Sequence, residues 1–361
     1  MRASNSAFLL LTVLTAPALG QQDDSASTGT DWSTGTDWVA LDDDLDAVAL
    51  PVDSHDSMPE IYGFLRADAR YTTRDRDSSE LGDLRLWNAN IFVAGTVGDS
   101  DVSYRFNYEA GSARPGQLED GFLRFSLPGE LKATLGQFKA PVLRSGLVED
   151  DRTLFFDHSF LGRIFEARDQ GIMLERRWDY LRGAIAIQDG IDGSETDAAF
   201  IGRLAFDVAG EGVPLVEGAY GAPQELSATI AASVVDDESI SDGVLVAFEA
   251  AFTYDRFAGS VELVTADEGF DDDLVFQAQD PRRLIGEATP WALTFSYLLT
   301  PEFEAGYRVD FLDTPNDNHI QTIGGNYYLD GHDLKWQGAF SVFERDGRDD
   351  HTLSVGLSVN F

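Results

Sequence analysis

The sequence predicts an all-β protein, a sixteen-stranded antiparallel β-barrel that crosses a membrane. Three observations support this prediction. Apolar and polar residues alternate with a period of two along most of the chain, the number of alternating segments is even, and short turns interleave with longer loops. Beyond the first 20 residues, no apolar run approaches the ~20 residues that a membrane-spanning helix needs.

The first 20 residues have the pattern of an export signal. Arg2 provides a positive charge, an apolar stretch runs from Ala7 to Leu14, and Ala18 and Gly20 are small residues at the cleavage-recognition positions. A membrane-anchoring helix is the alternative, but the apolar run is too short to span a bilayer. We therefore expect residues 1–20 to be a signal peptide.

Residues 21–57 form a compositionally distinct segment. The hexapeptide STGTDW occurs twice in tandem, at Ser27–Trp32 and Ser33–Trp38, and an acidic run follows it. The segment holds no Lys or Arg, so its Asp residues repel one another. Its Ser, Thr and Gly residues do not compensate for the conformational entropy that the chain would lose on folding. We expect an acidic low-complexity tether; a surface-binding or cation-binding role is the alternative. The barrel domain then covers residues 58–361.

The alternation is clearest near the C-terminus. From Leu353 to Phe361 every second residue is apolar and the intervening residues are polar or small, and Phe303 to Phe311 repeats the pattern. The same count from Glu60 onward gives sixteen candidate strands, which begin near residues 60, 85, 102, 119, 131, 168, 180, 198, 225, 243, 257, 291, 303, 319, 333 and 351. Short turns alternate with longer loops, except at Ala209–Gln224.

A soluble acidic β-sandwich hydrolase is the competing interpretation, because soluble sandwiches also alternate. The charge on the polar face argues against it and indicates a wet lumen. That face carries Arg66, Asp68, Arg70, Arg105, Glu109, Arg124, Lys132, Arg182, Arg203, Glu249, Glu262 and Arg308. Aromatic residues of the opposite parity lie toward strand ends, as in interfacial girdles; they are Tyr71, Trp87, Tyr104, Trp291, Tyr307, Phe311, Tyr327 and Trp336.

Several ordered motifs resemble the phosphate-selective porin O and P family. They are LGQFKAP at Leu135–Pro141, LFFDHSF at Leu154–Phe160, RDQGIML at Arg168–Leu174 and GGNYYLDGHDLKWQ at Gly324–Gln337. The resemblance implies a sixteen-stranded outer-membrane barrel, a homotrimer, and a third long loop that folds inward to narrow the pore. The strand count places that loop at Ala140–Ala167, the longest connection in the predicted barrel.

A loop of mixed charge across a water-filled lumen sets both the size limit and the local field. We expect the constriction to use the loop residues Arg144, Arg152, Arg163, Glu149, Asp150 and Asp151. A basic track on the wall is predicted at Arg66, Arg70, Arg105, Arg124 and Lys132. Guanidinium groups pair bidentately with phosphate oxygens, but the chain has only three lysines, so the sign of ion selectivity stays open.

The composition excludes several functional classes. With 63 acidic and 26 basic residues the formal charge is -37, which argues against nucleic acid as a partner. The chain has no Cys, its five His show no metal-ligand spacing, and no nucleophile elbow or phosphate-cradling loop occurs. We therefore expect no enzymatic activity, no cofactor and no metal. The expected partners are outer-membrane lipid and small hydrophilic solutes or inorganic anions; a surface-structural barrel without transport is a further alternative.

Overall fold

The computed structural model describes residues 58–74, 77–98, 100–111, 116–190, 198–237, 243–266, 288–313, 318–345 and 348–361. The predicted signal peptide and acidic tether lie outside the described residues. Among the described residues, no helix is both long enough and apolar enough to cross a bilayer.

The described chain forms one closed antiparallel sheet in which each strand pairs with its neighbours in sequence and the first pairs with the last. The strands are β1 (Glu60–Arg74), β2 (Asp77–Thr96), β3 (Val102–Glu109), β4 (Gln117–Leu127), β5 (Leu131–Lys139), β6 (Arg168–Trp178), β7 (Leu181–Gln188), β8 (Ala199–Ala209), β9 (Ser227–Asp236), β10 (Val244–Tyr254), β11 (Phe257–Ala266), β12 (Trp291–Thr300), β13 (Phe303–Phe311), β14 (His319–Asp330), β15 (Leu334–Arg345) and β16 (Arg348–Asn360). The predicted strand number and the closed antiparallel barrel are confirmed.

The barrel closes where β1 meets β16. The pairing runs from Phe64 opposite Asn360 to Thr73 opposite His351. Beyond it, Gly63 and Phe361 exchange two backbone hydrogen bonds, of 2.8 and 3.0 Å. Closure matters because it leaves no sheet edge with unpaired backbone groups, which would be costly in hydrocarbon.

Burial follows the alternation along each strand. On β13 the side chains of Phe303 and Tyr307 are exposed, whereas Glu304 and Arg308 on the opposite face are buried. This is the reverse of a soluble protein, in which the apolar face is the buried one. The barrel therefore presents an apolar exterior and a largely polar interior.

A β-bulge changes the alternation in β2. Arg66 pairs with Asn88 but Ala67 pairs with Leu86, so Trp87 is an extra residue and the inward parity switches there. The indole of Trp87 lies under the guanidinium groups of Arg70 and Arg85, 5.0 and 4.3 Å from the ring centre. The prediction that Trp87 belongs to an outward aromatic girdle is therefore wrong, because simple alternation does not allow for the bulge.

Two short helices and a 3-10 turn occupy the connection between β5 and β6. They are α1 (Arg144–Leu147), the 3-10 turn (Asp150–Arg152) and α2 (Phe160–Phe165). We call residues 140–167 the loop segment. Its two ends meet at a hydrogen bond of 3.2 Å from the Ala140 nitrogen to the Ala167 oxygen.

Candidate functional site

The loop segment contacts the interior face of strands on every side of the barrel. Its polar groups bond to side chains of β1, β3, β8, β9, β10, β11, β13 and β15. Lys335 on β15, for example, is fully buried and donates to the carbonyl oxygens of Asp151 and Thr153 at 2.8 and 3.0 Å.

Carboxylates of the wall accept hydrogen bonds from the helix starts of the loop segment. At the start of α1, the backbone nitrogens of Arg144 and Ser145 donate to Glu249 and Glu262 at 2.6 and 2.8 Å. At the start of α2, the Phe160 nitrogen donates to Asp310 at 2.7 Å. The first N–H groups of a helix have no partner within it, and its amino end attracts negative charge. The acidic wall residues thus position both helices.

Apolar packing also fixes the loop segment. Val142, Leu143, Leu161 and Phe165 are almost fully buried. They belong to one cluster with interior residues of the wall, namely Ala186, Ala199, Ile201, Val235, Leu245, Ala247 and Val264. Complete burial of a large apolar side chain contributes about 1.5–3 kcal/mol. One side of the barrel interior is therefore a packed apolar core. The alternation had predicted a polar, water-lined interior face on all strands.

A second segment, residues 210–226, contacts the barrel interior from the opposite rim. We call it the turn-rim segment; it contains the connection that breaks the pattern of short turns. Glu217 accepts from the Leu154 nitrogen at 3.0 Å, and its own nitrogen donates to the Arg152 oxygen at 3.0 Å. Tyr220 stacks on Tyr328 of the wall with ring centres 3.9 Å apart.

Arg144 joins the two segments. Its guanidinium donates to the carbonyl oxygens of Val213 and Val216 at 3.2 and 2.8 Å, and to that of Pro214. The side chain is buried. In this position the guanidinium bonds to backbone carbonyls of the turn-rim segment.

The other predicted arginines of the loop segment are more accessible. The Arg152 side chain is 36% exposed and lies 3.2 Å from Asp151. Arg163 is on the exposed side of α2. Asp151 also accepts from Asn360 of β16 at 3.0 Å. A role of Arg152 and Arg163 in lining the pore stays a prediction.

Glu149 is the centre of an ion-pair cluster. Its carboxylate lies 3.2 Å from Lys139, 3.1 Å from Arg105 and 3.4 Å from Arg168. Burial raises the pKa of Glu149, but these three cations outweigh burial and hold it at about 2. Glu149 therefore stays ionised and ties the loop segment to β3, β5 and β6.

The predicted basic track has two roles. Arg66, Arg70 and Arg105 bond to the loop segment, namely to the Asp150 carbonyl oxygen at 3.4 Å, the Asp157 carboxylate at 2.8 Å and the Glu149 carboxylate at 3.1 Å. Arg124 lies 3.7 Å from Glu175 within the wall. Arg105, Arg124 and Lys132 line a cavity of about 480 Å³ against β3–β8.

The cavity wall is rich in positive charge. Seven basic side chains (Arg105, Arg124, Lys132, Lys139, Arg177, Arg182 and Arg203) and four acidic ones (Asp120, Glu130, Glu149 and Glu175) line it. Arg176 also borders the cavity, but its guanidinium lies over the exposed ring of Trp178 on the outer face. Arg182 and Arg203 also pair with Asp207 and Glu249 outside the lining, at 2.7 and 2.5 Å. Including those two carboxylates, basic groups still exceed acidic ones, by seven to six. The net charge of the cavity lining is therefore positive, whereas the overall formal charge of the chain is -37.

Several residues that organise the interior have no recognisable signal in the sequence. Lys335 and Glu217 each hold backbone groups of the loop segment. His158 is buried, and its Nε2 lies 2.9 Å from Asp150 and 3.3 Å from Glu166. Burial lowers the pKa of His158, but the two carboxylates outweigh it and raise the pKa above its usual value. No spacing signal identifies such a group, because the loop must fold before its members meet.

Comparison with solved structures finds matching barrels. A loop-deletion mutant of OmpT, an outer membrane protein of Vibrio cholerae, matches with a TM-score of 0.56 and 13% identity, over 85% of this chain and 100% of that one. A mutant of the Rh. blastica porin matches with a TM-score of 0.54 and 14% identity, over 84% of this chain and 100% of that one.

The fold is that of a porin. At these identities the likeness shows the fold alone. No protein-family model matches the sequence, and no curated protein does. The resemblance to the phosphate-selective O and P family is therefore a prediction that these comparisons do not confirm.

Proposed function

We propose that this protein is an outer-membrane porin that lets small hydrophilic anions diffuse passively through its interior. The observation that carries the proposal is the cavity against β3–β8, where positive groups outnumber negative ones in an otherwise strongly acidic chain. Such a wall concentrates anions and disfavours cations along the path. No bond chemistry is required, and we propose no catalytic activity.

The loop segment and the turn-rim segment narrow the passage in this proposal. Together they fill the side of the interior that lies against β8–β16 and β1, with an apolar cluster and buried polar contacts. Solutes then pass along the β3–β8 side. The ion pairs of Glu149 with Lys139 and Arg105 support the segment at the edge of this path.

The apolar exterior supports placement in a lipid bilayer, and the matching OmpT structures are described as those of an outer membrane protein. One matching OmpT structure is described as a trimer form. We propose the same location and a homotrimer for this chain. Within the anion class, phosphate and other oxyanions are the favoured solutes, because guanidinium groups hold them with paired hydrogen bonds.

Planar-bilayer recording of the purified protein tests the proposal. We expect discrete conductance steps, and in a gradient of potassium chloride we expect the dilute side to become negative, since chloride crosses faster than potassium. Inorganic phosphate added at constant chloride should reduce the current if the guanidinium groups bind it. A dilute side that becomes positive would contradict anion preference, and a barrel that inserts without steps would indicate a structural protein.

Removing the two accessible arginines of the loop segment should weaken anion preference. One unit charge at 4 Å contributes about 1 kcal/mol in water, so Arg152→Ala with Arg163→Ala should lower the chloride-to-potassium permeability ratio severalfold. The reversal potential measures this change. Arg256→Ala on an exposed turn is the control and should have no effect. Unchanged conductance and ion preference in the double variant would remove both residues from the constriction.

A further inference from the structure

His158 joins three parts of the loop segment. The side chain is almost fully buried just before α2. Its Nδ1 atom lies 2.7 Å from the carbonyl oxygen of Ser145 in α1, and its Nε2 atom lies 2.9 Å from Asp150 in the 3-10 turn. The carboxylate of Glu166, which follows α2, is 3.3 Å from the same Nε2 atom. One buried imidazole therefore connects α1, the 3-10 turn and the carboxyl end of α2.

Both ring nitrogens of His158 face acceptors. A carbonyl oxygen and an ionised carboxylate only accept hydrogen bonds. A neutral imidazole has one N–H and one lone pair, so either tautomer would place a lone pair against an oxygen of Ser145 or Asp150. The imidazolium form donates from both nitrogens and supplies a positive charge between Asp150 and Glu166. The geometry therefore fits the charged ring and neither neutral form.

The surroundings of His158 contain charges of both signs. Burial alone lowers the pKa of His158, but Glu166 and Asp150 outweigh burial and raise it above the ordinary value. The positive charge of Lys139 opposes them. Charged groups that face the ring or its partners are Asp150 of the 3-10 turn, Glu166 after α2, Lys139 of β5, Arg66 of β1 beside Asp150, Arg70 of β1 beside the adjacent Asp157, and Glu262 of β11 beside Ser145.

We propose that His158 is a pH-sensitive switch: the loop segment is held firmly while His158 is protonated and loosens when this residue loses its proton. Deprotonation replaces a donated hydrogen bond by a lone pair against an oxygen, and it leaves the carboxylates of Asp150 and Glu166 without the positive charge between them. Like charges then repel across a largely buried space.

The direction of the pH dependence follows from the sign of the shift. A histidine whose pKa is raised in the folded state stabilises that state fully below the ordinary value of about 6.5. This contribution is lost as the pH rises through the raised value, so the loop segment loosens on the alkaline side. The population of the loosened form should rise about tenfold per pH unit between the two pKa values and then level off.

The loosening is expected to be local. Lys335 still holds the carbonyl oxygens of Asp151 and Thr153, and Glu149 keeps its ion pairs with the wall. The switch therefore acts on the connection between α1, the 3-10 turn and α2, while the barrel stays closed. The loosening does not depend on what passes through the barrel, whereas its effect on conductance rests on the proposed function.

Hydrogen exchange of the purified protein in detergent, followed by mass spectrometry over a range of pH, tests the switch. The amides of Val148 and Arg163 donate within the loop segment, to the oxygens of Arg144 and Ser159. After correction for the intrinsic pH dependence of exchange, the protection of amides in residues 144–166 should fall about tenfold per pH unit above about pH 6.5 and then level off. Amides of β12 and β13 should keep their protection.

Three variants assign the effect to His158. His158→Gln removes the titrating group, so protection of the loop segment should be low and independent of pH. Glu166→Gln removes a carboxylate that favours the charged ring, so the fall should level off at lower pH. His319→Gln is the matched control, because His319 lies 3.5 Å from Glu344 on neighbouring strands, and it should keep the wild-type profile.

Heat-modifiable migration verifies that each variant is folded, and Glu166→Gln carries the test if His158→Gln does not fold. The switch is overturned if wild-type protection is constant above about pH 6.5, or if the folded variants at His158 and Glu166 keep the wild-type profile. Planar-bilayer recording separates the switch from the proposed function. Conductance that rises with the same pH dependence supports both, whereas falling protection at unchanged conductance supports the switch and contradicts a pore narrowed by the loop segment.

Discussion

Arg144→Ala will detach the turn-rim segment from the loop segment and make the channel larger and noisier. The guanidinium of Arg144 donates to three carbonyl oxygens, those of Val213, Pro214 and Val216. A hydrogen bond to a charged group contributes about 1.5–3 kcal/mol to stability. A change of about 1.4 kcal/mol alters the ratio of the detached to the attached form tenfold. The detached form should therefore become at least about 100-fold more populated.

Two measurements report that change. Single-channel recordings should show higher conductance with additional substates, and limited proteolysis should cut the chain within residues 210–226. Arg256→Ala removes the same type of side chain from an exposed turn and should match wild type in both assays. Arg144→Ala traces and digestion patterns identical to wild type would mean that the two segments do not depend on this contact.

Reversing two charges in the cavity should reverse the ion preference. Lys132 and Arg177 line the cavity, and both are only partly buried, so glutamate is tolerated there better than at a fully buried site. Lys132→Glu with Arg177→Glu changes the local charge by four units. At about 1 kcal/mol per unit charge at 4 Å in water, the permeability ratio should shift by more than about tenfold toward cations.

The sign of the reversal potential in a salt gradient measures this outcome. The dilute side should change from negative in the wild type to positive in the double variant, and the effect should weaken as salt rises, because mobile ions screen the wall charge. Arg256→Glu changes charge outside the cavity and should leave the sign unchanged. If the double variant keeps the wild-type sign, the cavity is not the ion path.

The strands could be predicted from sequence because the environment imposes a period of two. The lipid-facing side must be apolar and the interior tolerates charge. The alternation of apolar and polar residues therefore marks where each strand lies in the sequence. Most predicted starts lie within two or three residues of the observed ones; β12 and β13 begin at Trp291 and Phe303 as predicted. The start of β2 was placed at residue 85, but the strand begins at Asp77.

The interior could not be predicted in the same way. Glu249 and Glu262 are recognisable as inward residues, but their contacts with α1 depend on how a distant loop folds. Ala199 and Ala247 are wall residues of the apolar cluster, and nothing in their local pattern distinguishes a dry wall from a wet one. Alternation specifies which face a residue occupies, whereas the interior contacts join residues that are distant in sequence, such as 61 positions for Arg203 and Val142 and 105 for Arg144 and Glu249.

Lys335 has a consequence for the order of assembly. It lies on the fifteenth of sixteen strands, yet it holds the carbonyl oxygens of Asp151 and Thr153. During synthesis the loop is therefore complete long before its anchor exists, and the final seating of residues 151–153 waits for the last hairpin. A nascent barrel that lacks this hairpin would already hold α1 and α2 through Glu249, Glu262 and Asp310, but residues 151–153 would lack their contacts with Lys335.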